Sequence, residues 1–316
     1  MRLVTWLSLA LITLAALSLL VGAADLRAAF AQDGRAALIF WGSRVPRTLA
    51  VMLSGAALAV SGVVMQQILR NKFVEPGTVG TGESAALGLL AVTIFAPDAA
   101  IWVKMLAASV AGLAGTAVFL RLIRAIPSRD VLMVPLVGLI WSGVLGAVVL
   151  HIGWQTDLIQ LVTVWLMTGE FSGVIAGRYE LLWIAGAATV LALLAADRFA
   201  ILGLGHGLAT GLGLRPAVVV RLGLVVVAVV TAMVMATVGM VPFVGLVVPN
   251  IVSRIMGDNL RKSLLVTALG GASLLLICDI IGRLVIHPYE VPVGTVLGII
   301  GAVLFLWLLW RAPALG

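Results

Sequence analysis

Ten apolar segments of near-bilayer length recur along this chain, at roughly 3–23, 47–67, 82–97, 101–123, 130–152, 178–197, 217–240, 243–257, 263–286 and 292–311. A helix crossing the hydrocarbon core of a membrane needs about 20 apolar residues, so the connections between these runs must be short. The spacing predicts an all-α integral membrane protein of about ten transmembrane helices, forming one domain over residues 1–316 with no soluble domain left over. Composition agrees: 10% of residues are charged, where a water-facing domain carries about 25%. Some segments are short or interrupted by Gly245, Pro242 and Pro249; such breaks are tolerated where neighbouring helices satisfy the freed backbone groups. The stretch 153–177, broken by Gly153, Gly169 and Gly173, reads as a short helix plus loop at one membrane face. The N-terminal apolar run from Leu3 to Val21 exceeds the roughly 7–15 residues of a signal-peptide core, which favours a retained first span.

The net charge is +7, but the positive residues sit at segment ends, so membrane topology accounts for them and nucleic acid does not. With both termini in the cytoplasm, thirteen Lys and Arg fall inside and seven outside, which the positive-inside rule favours. Arg44, Arg47 and Arg283 run against that bias at the outer ends of spans. Interfacial anchoring is the ordinary account of one such arginine. For the trio, docking of an acidic partner fits better, because guanidinium forms directional bidentate pairs with carboxylates.

Covalent chemistry leaves no motif. There is no GxxxxGK[ST] for ATP phosphates, no HExxH and no GxSxG, and His151, His206 and His287 are scattered. The single cysteine, Cys278, lies inside an apolar segment and reads as an inert buried thiol. No catalytic residue, metal ligand or resident cofactor is expected. Asp279 is the best candidate for an intramembrane ion-coupling group, which keeps an ion-driven secondary transporter of a small organic solute as the alternative. Arg283 lies four residues on, and a local ion pair is the simpler account. Glu83 and Asp130 fall at predicted helix starts, where a carboxylate offsets the helix dipole.

The stretch 198–216, RFAILGLGHGLATGLGLRP, sits between two strong spans on the predicted cytoplasmic side. Leu204, Leu208 and Leu212 recur at i, i+4 and i+8, giving one short helix an apolar stripe. Leaving such leucines in water costs about 25 cal/mol per Å² of apolar surface. A docking helix for another protein is the reading.

Three blocks carry a family resemblance across nearly the whole chain. They are RVPR (44–47) through GAALAVSG (55–62) with Met65 and Gln66; GMVPFVGLVVPNI (239–251) followed by GDNL (257–260); and CDIIGR (278–283) followed by PYEVPVG (288–294). Together they resemble the FecCD-type permeases of ABC importers for iron-siderophores, haem and vitamin B12. RNKFV (70–74), GRYELL (177–182) and PYE (288–290) resemble the branch that handles catecholate-type ferric siderophores such as petrobactin and anguibactin. The resemblance implies a fold of the vitamin-B12 importer type in the bacterial inner membrane, and a permease for a ferric siderophore before one for haem or vitamin B12. It implies a second permease subunit, identical or related, with two different chains favoured. It also implies two cytoplasmic ATPase subunits, which bind the ATP and Mg, and an extracytoplasmic siderophore-binding protein. By the same resemblance Arg44, Arg47 and Arg283 match the arginines that receive that binding protein. The coupling helix matches Leu204 to Leu214, with Leu204, Gly205, His206, Leu208, Leu212 and Gly213 as its contact positions. The pathway would include the helix near 130–152 and the short one after it, with Met133, Trp165 and Met167 as candidate lining residues. Members often carry Asn-Pro-Leu where this chain has Asn71, Lys72 and Phe73, and a histidine where it has Asn250.

Overall fold

Each apolar segment forms a helix whose limits follow from local chemistry. The computed structural model describes residues 2–22, 35–125, 133–167, 169–257 and 259–310. Helix α1 spans Arg2–Leu20. A short helix at Arg35–Ile39 passes through a π-turn at Phe40–Arg44 into α2, Val45–Leu69. Pro46 stands in the first turn of α2, where its missing N–H has no intrahelical partner to lose. Arg70 ends the helix in a left-handed conformation, φ 52°, with its N–H on the Gln66 carbonyl. Then come α3, Thr81–Phe95; α4, Ile101–Ala125; α5, Met133–Gln155; and the short α6, Ile159–Met167. Helices α7, Leu182–Leu194, and α8, Ala196–Gly203, meet at a 62° bend. The six-residue α9, His206–Gly211, precedes α10, Pro216–Val238; α11, Val244–Met256; α12, Leu260–Leu284; and α13, Val293–Trp310.

Among the described residues, six helices are long and apolar enough to cross a membrane, the bent α7–α8 pair makes a seventh when taken as one span, and α3, α11 and α13 are shorter apolar helices. These are the ten expected segments. The stretch read as short helix plus loop resolves into the end of α5, then α6 and a run of turns.

Burial separates the helices into two sets. In α2 and α10, 78% and 72% of the spanning window is buried, against 11% in α1 and 17% in α5. So α2, α10 and α12 form the centre, α3 and α11 bury much of their length against it, and α1, α4 and α5 present apolar flanks to lipid or to partner chains. Water supplies no hydrophobic drive between helices in lipid, so tight backbone approach must hold the centre together. Glycines allow it. A Cβ on Gly55 (α2) would collide with the Gly271 carbonyl (α12), and one on Gly62 (α2) with the backbone of Gly245 (α11).

After α2 the chain turns back into the protein. Glu75, at the start of a 3₁₀ turn over Pro76–Val79, lines a cavity of about 30 Å³ with Leu58, from the middle of α2, and with Gly245. The N-terminus of α11 therefore begins at mid-depth, and Glu75 caps it: the Phe243 N–H donates to Glu75 Oε1 at 3.0 Å, and the N–H groups of Gly245 and Leu246 also bond it. Irregular backbone at membrane depth is permitted where protein buries it, as here.

Candidate functional site: a charged rim and a leucine-bearing rim

The Arg44 end of α2, the Arg283 end of α12 and the Leu20 end of α1 share one rim. Two of its arginines close the C-terminus of α1, whose last carbonyls have no intrahelical donors. Arg44 Nη1 donates to the carbonyls of Leu19 and Leu20 at 2.8 and 2.9 Å. Arg283 Nη1 donates to those of Ser18 and Val21 at 3.0 and 2.8 Å, and its Nη2 to Ser18 Oγ at 2.7 Å. Positive charge is also what the helix dipole favours at a C-terminus. This gives Arg44 and Arg283 a reason to oppose the positive-inside trend.

Arg47 is the hub of the cluster. Its Nε and Nη2 donate to Asp279 Oδ1 at 3.1 and 2.8 Å, and its Nη1 to Glu290 Oε2 at 2.7 Å. Asp279 Oδ2 takes Arg283 Nη2, so the expected local pair exists inside a wider network that pins α2 to α12. Asp279 is 0% exposed and its charge is consumed by two guanidiniums, which removes the basis for reading it as an ion-coupling group. The sequence reading placed the three arginines outward as partner contacts; all three are buried. The cluster holds Arg44, Arg47 and Arg283 against Asp279 and Glu290, and Glu170 lines the small cavity that Arg47 and Glu290 share, so the positive and negative charges of this rim are close to balanced. Its least covered member is Glu290, with a side chain 23% exposed against 11% for Arg47.

The opposite rim carries Arg70, Gly203 and Leu260 around a cavity of about 350 Å³. Beside it lies the predicted docking segment. The helix is shorter than expected, and Leu204 and Leu212 flank it in turns, yet Leu204, Leu208 and Leu212 are each more than half exposed. Gly205 and Gly213 hold φ of 111° and 82°, which side chains avoid, so both turns require glycine. Buried Ala209 seats the helix, and His206 is exposed.

Met133 and Trp165 are not brought together. Trp165, on α6, is buried and lines a cavity of about 680 Å³ with Glu170, Arg178 and Thr237. Met133 opens α5 and is partly exposed, on the far side of that 23-residue helix from α6. Met167 closes α6. Two buried carboxylates were missed as interior groups. Glu75 reads as part of a Pro-Gly loop, and nothing local betrays that the loop folds inward. Glu83 does lie in the first turn of α3, as expected, but it is buried and accepts from Ser142 Oγ of α5. Asp130 lies outside the described residues. Among the described residues no group of three or more His, Cys, Asp or Glu could hold a metal ion.

The FecCD transport family model matches residues 6–311. This chain belongs to that family. It is 41% identical to the petrobactin import system permease protein of Bacillus subtilis (strain 168), over 98% of each chain. It is 39% identical to the ferric-anguibactin transport system permease protein of Vibrio anguillarum, over 94% of this chain and 95% of that one. Among solved structures it resembles one described as an inward-facing metal-chelate type ABC transporter, with TM-score 0.80, 26% identity, and coverage of 98% and 99%.

The FecCD blocks are one another's contact partners. The first block supplies Arg47, Gly55 and Gly62; the second supplies Phe243 and Gly245; the third supplies Asp279 and Glu290. Arg47 joins the first to the third, and Gly62 against Gly245 joins the first to the second. The family signature thus marks the packing centre and one charged rim of the permease.

Proposed function

We propose that this FecCD chain is one permease subunit of an ABC importer that carries a ferric siderophore, of catecholate type, into the cytoplasm. The petrobactin and anguibactin permeases among its relatives support that cargo class. The observation that carries the energy source is the leucine-bearing α9 rim. Leu208 on the helix, with Leu204 and Leu212 in the glycine-containing turns beside it, forms an exposed apolar knob that a cytoplasmic ATPase subunit would cover. ATP and Mg belong to that partner. Two ATPases and a second permease, identical or related, complete the assembly, and the weakly buried flank of α5 suits contact with the second permease.

In this reading the termini and the α9 rim face the cytoplasm, and the arginine rim faces outward. A siderophore-binding protein approaches that rim with an acidic side chain for the Arg47 guanidinium, whose acceptor Glu290 is the least covered member of the cluster. Closure of the ATPase pair moves α9, and the permease pair alternates its opening. The test is transport in proteoliposomes. Uptake should require the ATPase, ATP and the binding protein together. Accumulation driven by an ion gradient, with no ATPase present, would replace this reading with a secondary carrier.

A further inference from the structure

Arg47 is held by two carboxylates of different character. Asp279 is sealed and also held by Arg283, so it cannot leave without stranding two cations. Glu290 sits on the non-helical link between α12 and α13, has a partly exposed side chain, and makes one contact to the cluster, 2.7 Å from Arg47 Nη1. Its neighbour Tyr289 is three-quarters exposed, at 76%. Glu170 lines the same small cavity as Arg47 and Glu290.

We infer that Glu290 is a built-in stand-in for the partner's carboxylate: it occupies Arg47 in the resting permease and is displaced when an acidic side chain of the binding protein docks. This rests on the docking reading above. The chemistry is a swap of like for like. Arg47 keeps its bond to Asp279 throughout, loses one charged acceptor and gains another, so no guanidinium is left bare at any stage. A swap of this kind holds the empty permease closed to adventitious anions. It also makes docking reversible, because the released Glu290 competes for its old place. Tyr289, beside it, supplies aromatic surface of the kind enriched at protein interfaces.

The test uses the permease–ATPase complex in nanodiscs, as wild type, Glu290→Gln, Glu290→Ala and Arg47→Gln. The first probe is phenylglyoxal, with modification of Arg47 followed by peptide mass spectrometry. The second is the ferric-siderophore-binding protein purified from the same organism, with affinity measured at low and high salt. Both Glu290 variants should speed modification of Arg47 severalfold. They should also tighten binding by about two- to fivefold, the range set by a partly exposed ion pair, with the gain shrinking in high salt. Unchanged modification together with unchanged or weaker binding in both variants overturns the stand-in. Arg47→Gln should abolish the salt-dependent part of binding. Full affinity in that variant would sink the docking reading itself, whatever Glu290 does.

Discussion

Removing the Asp279 carboxylate should be among the most damaging single changes on the charged rim. It is 0% exposed and takes three donors from Arg47 and Arg283, whose side chains are 11% and 3% exposed. Asp279→Ala leaves both guanidiniums in a site water hardly reaches. Deleting one partner of a buried pair costs about 3–5 kcal/mol, because the survivor stays charged and desolvated. The Glu290 contact is partly exposed, so Glu290→Gln should cost about 0–1 kcal/mol. The assay is unfolding in mixed micelles by SDS titration, followed by tryptophan fluorescence from the nine tryptophans. Salt adds a second criterion: raising ionic strength from about 0.1 to 1 M shortens the screening length from about 10 to 3 Å. The Glu290 effect should fade over that range and the Asp279 effect should not. Asp279→Leu combined with Arg283→Met removes a charge of each sign and leaves Arg47 to Glu290, but it also strips the Arg283 bonds from Ser18 and Val21 at the end of α1, so it should recover only part of the loss. A cost below about 1 kcal/mol for Asp279→Ala would refute the assignment of this network as the pin between α2 and α12.

At the helix crossings, Gly55→Val and Gly62→Val should each destabilise the same titration by about 1–3 kcal/mol or more. Gly143→Val, where an added Cβ meets nothing within 4 Å, should be near neutral. Glu75→Ala removes the cap on α11, and buried N–H donors left without an acceptor cost about 1–3 kcal/mol; amide exchange over 243–246 should rise selectively. Leu208→Asp should leave the permease folded but abolish co-purification with the ATPase and its stimulation, and normal coupling in that variant would remove α9 from the drive train. At the other rim, Arg47→Glu would set a third carboxylate against Asp279 and Glu290. Loss of uptake in that reversal therefore reports folding; Arg47→Gln, which leaves Asp279 to Arg283, reports docking once the same titration shows the variant folded.

Much of the architecture was legible because it depends on local quantities. Segment length and hydropathy placed the helices, and the i, i+4, i+8 leucines together with Gly205 and Gly213 marked a surface knob that the structure exposes. What stayed hidden depends on pairings distant in sequence. Arg47 and Asp279 are 232 residues apart, and Glu75 and Phe243 are 168 apart, so no window could show that these charges face inward. The positive-inside count flagged the right arginines for an incomplete reason. It treats an arginine at a span's end as a charge awaiting a partner, whereas Arg44 and Arg283 are spent on the open carbonyls of α1. The Gly-rich blocks carry the same lesson. A glycine such as Gly62 is silent in a hydropathy profile, yet it decides how near α11 can approach α2, and hence where the half-helix that Glu75 caps must begin. In a bilayer, where burying apolar surface between helices gains little over lipid contact, these contacts choose among the arrangements that hydropathy leaves equally open.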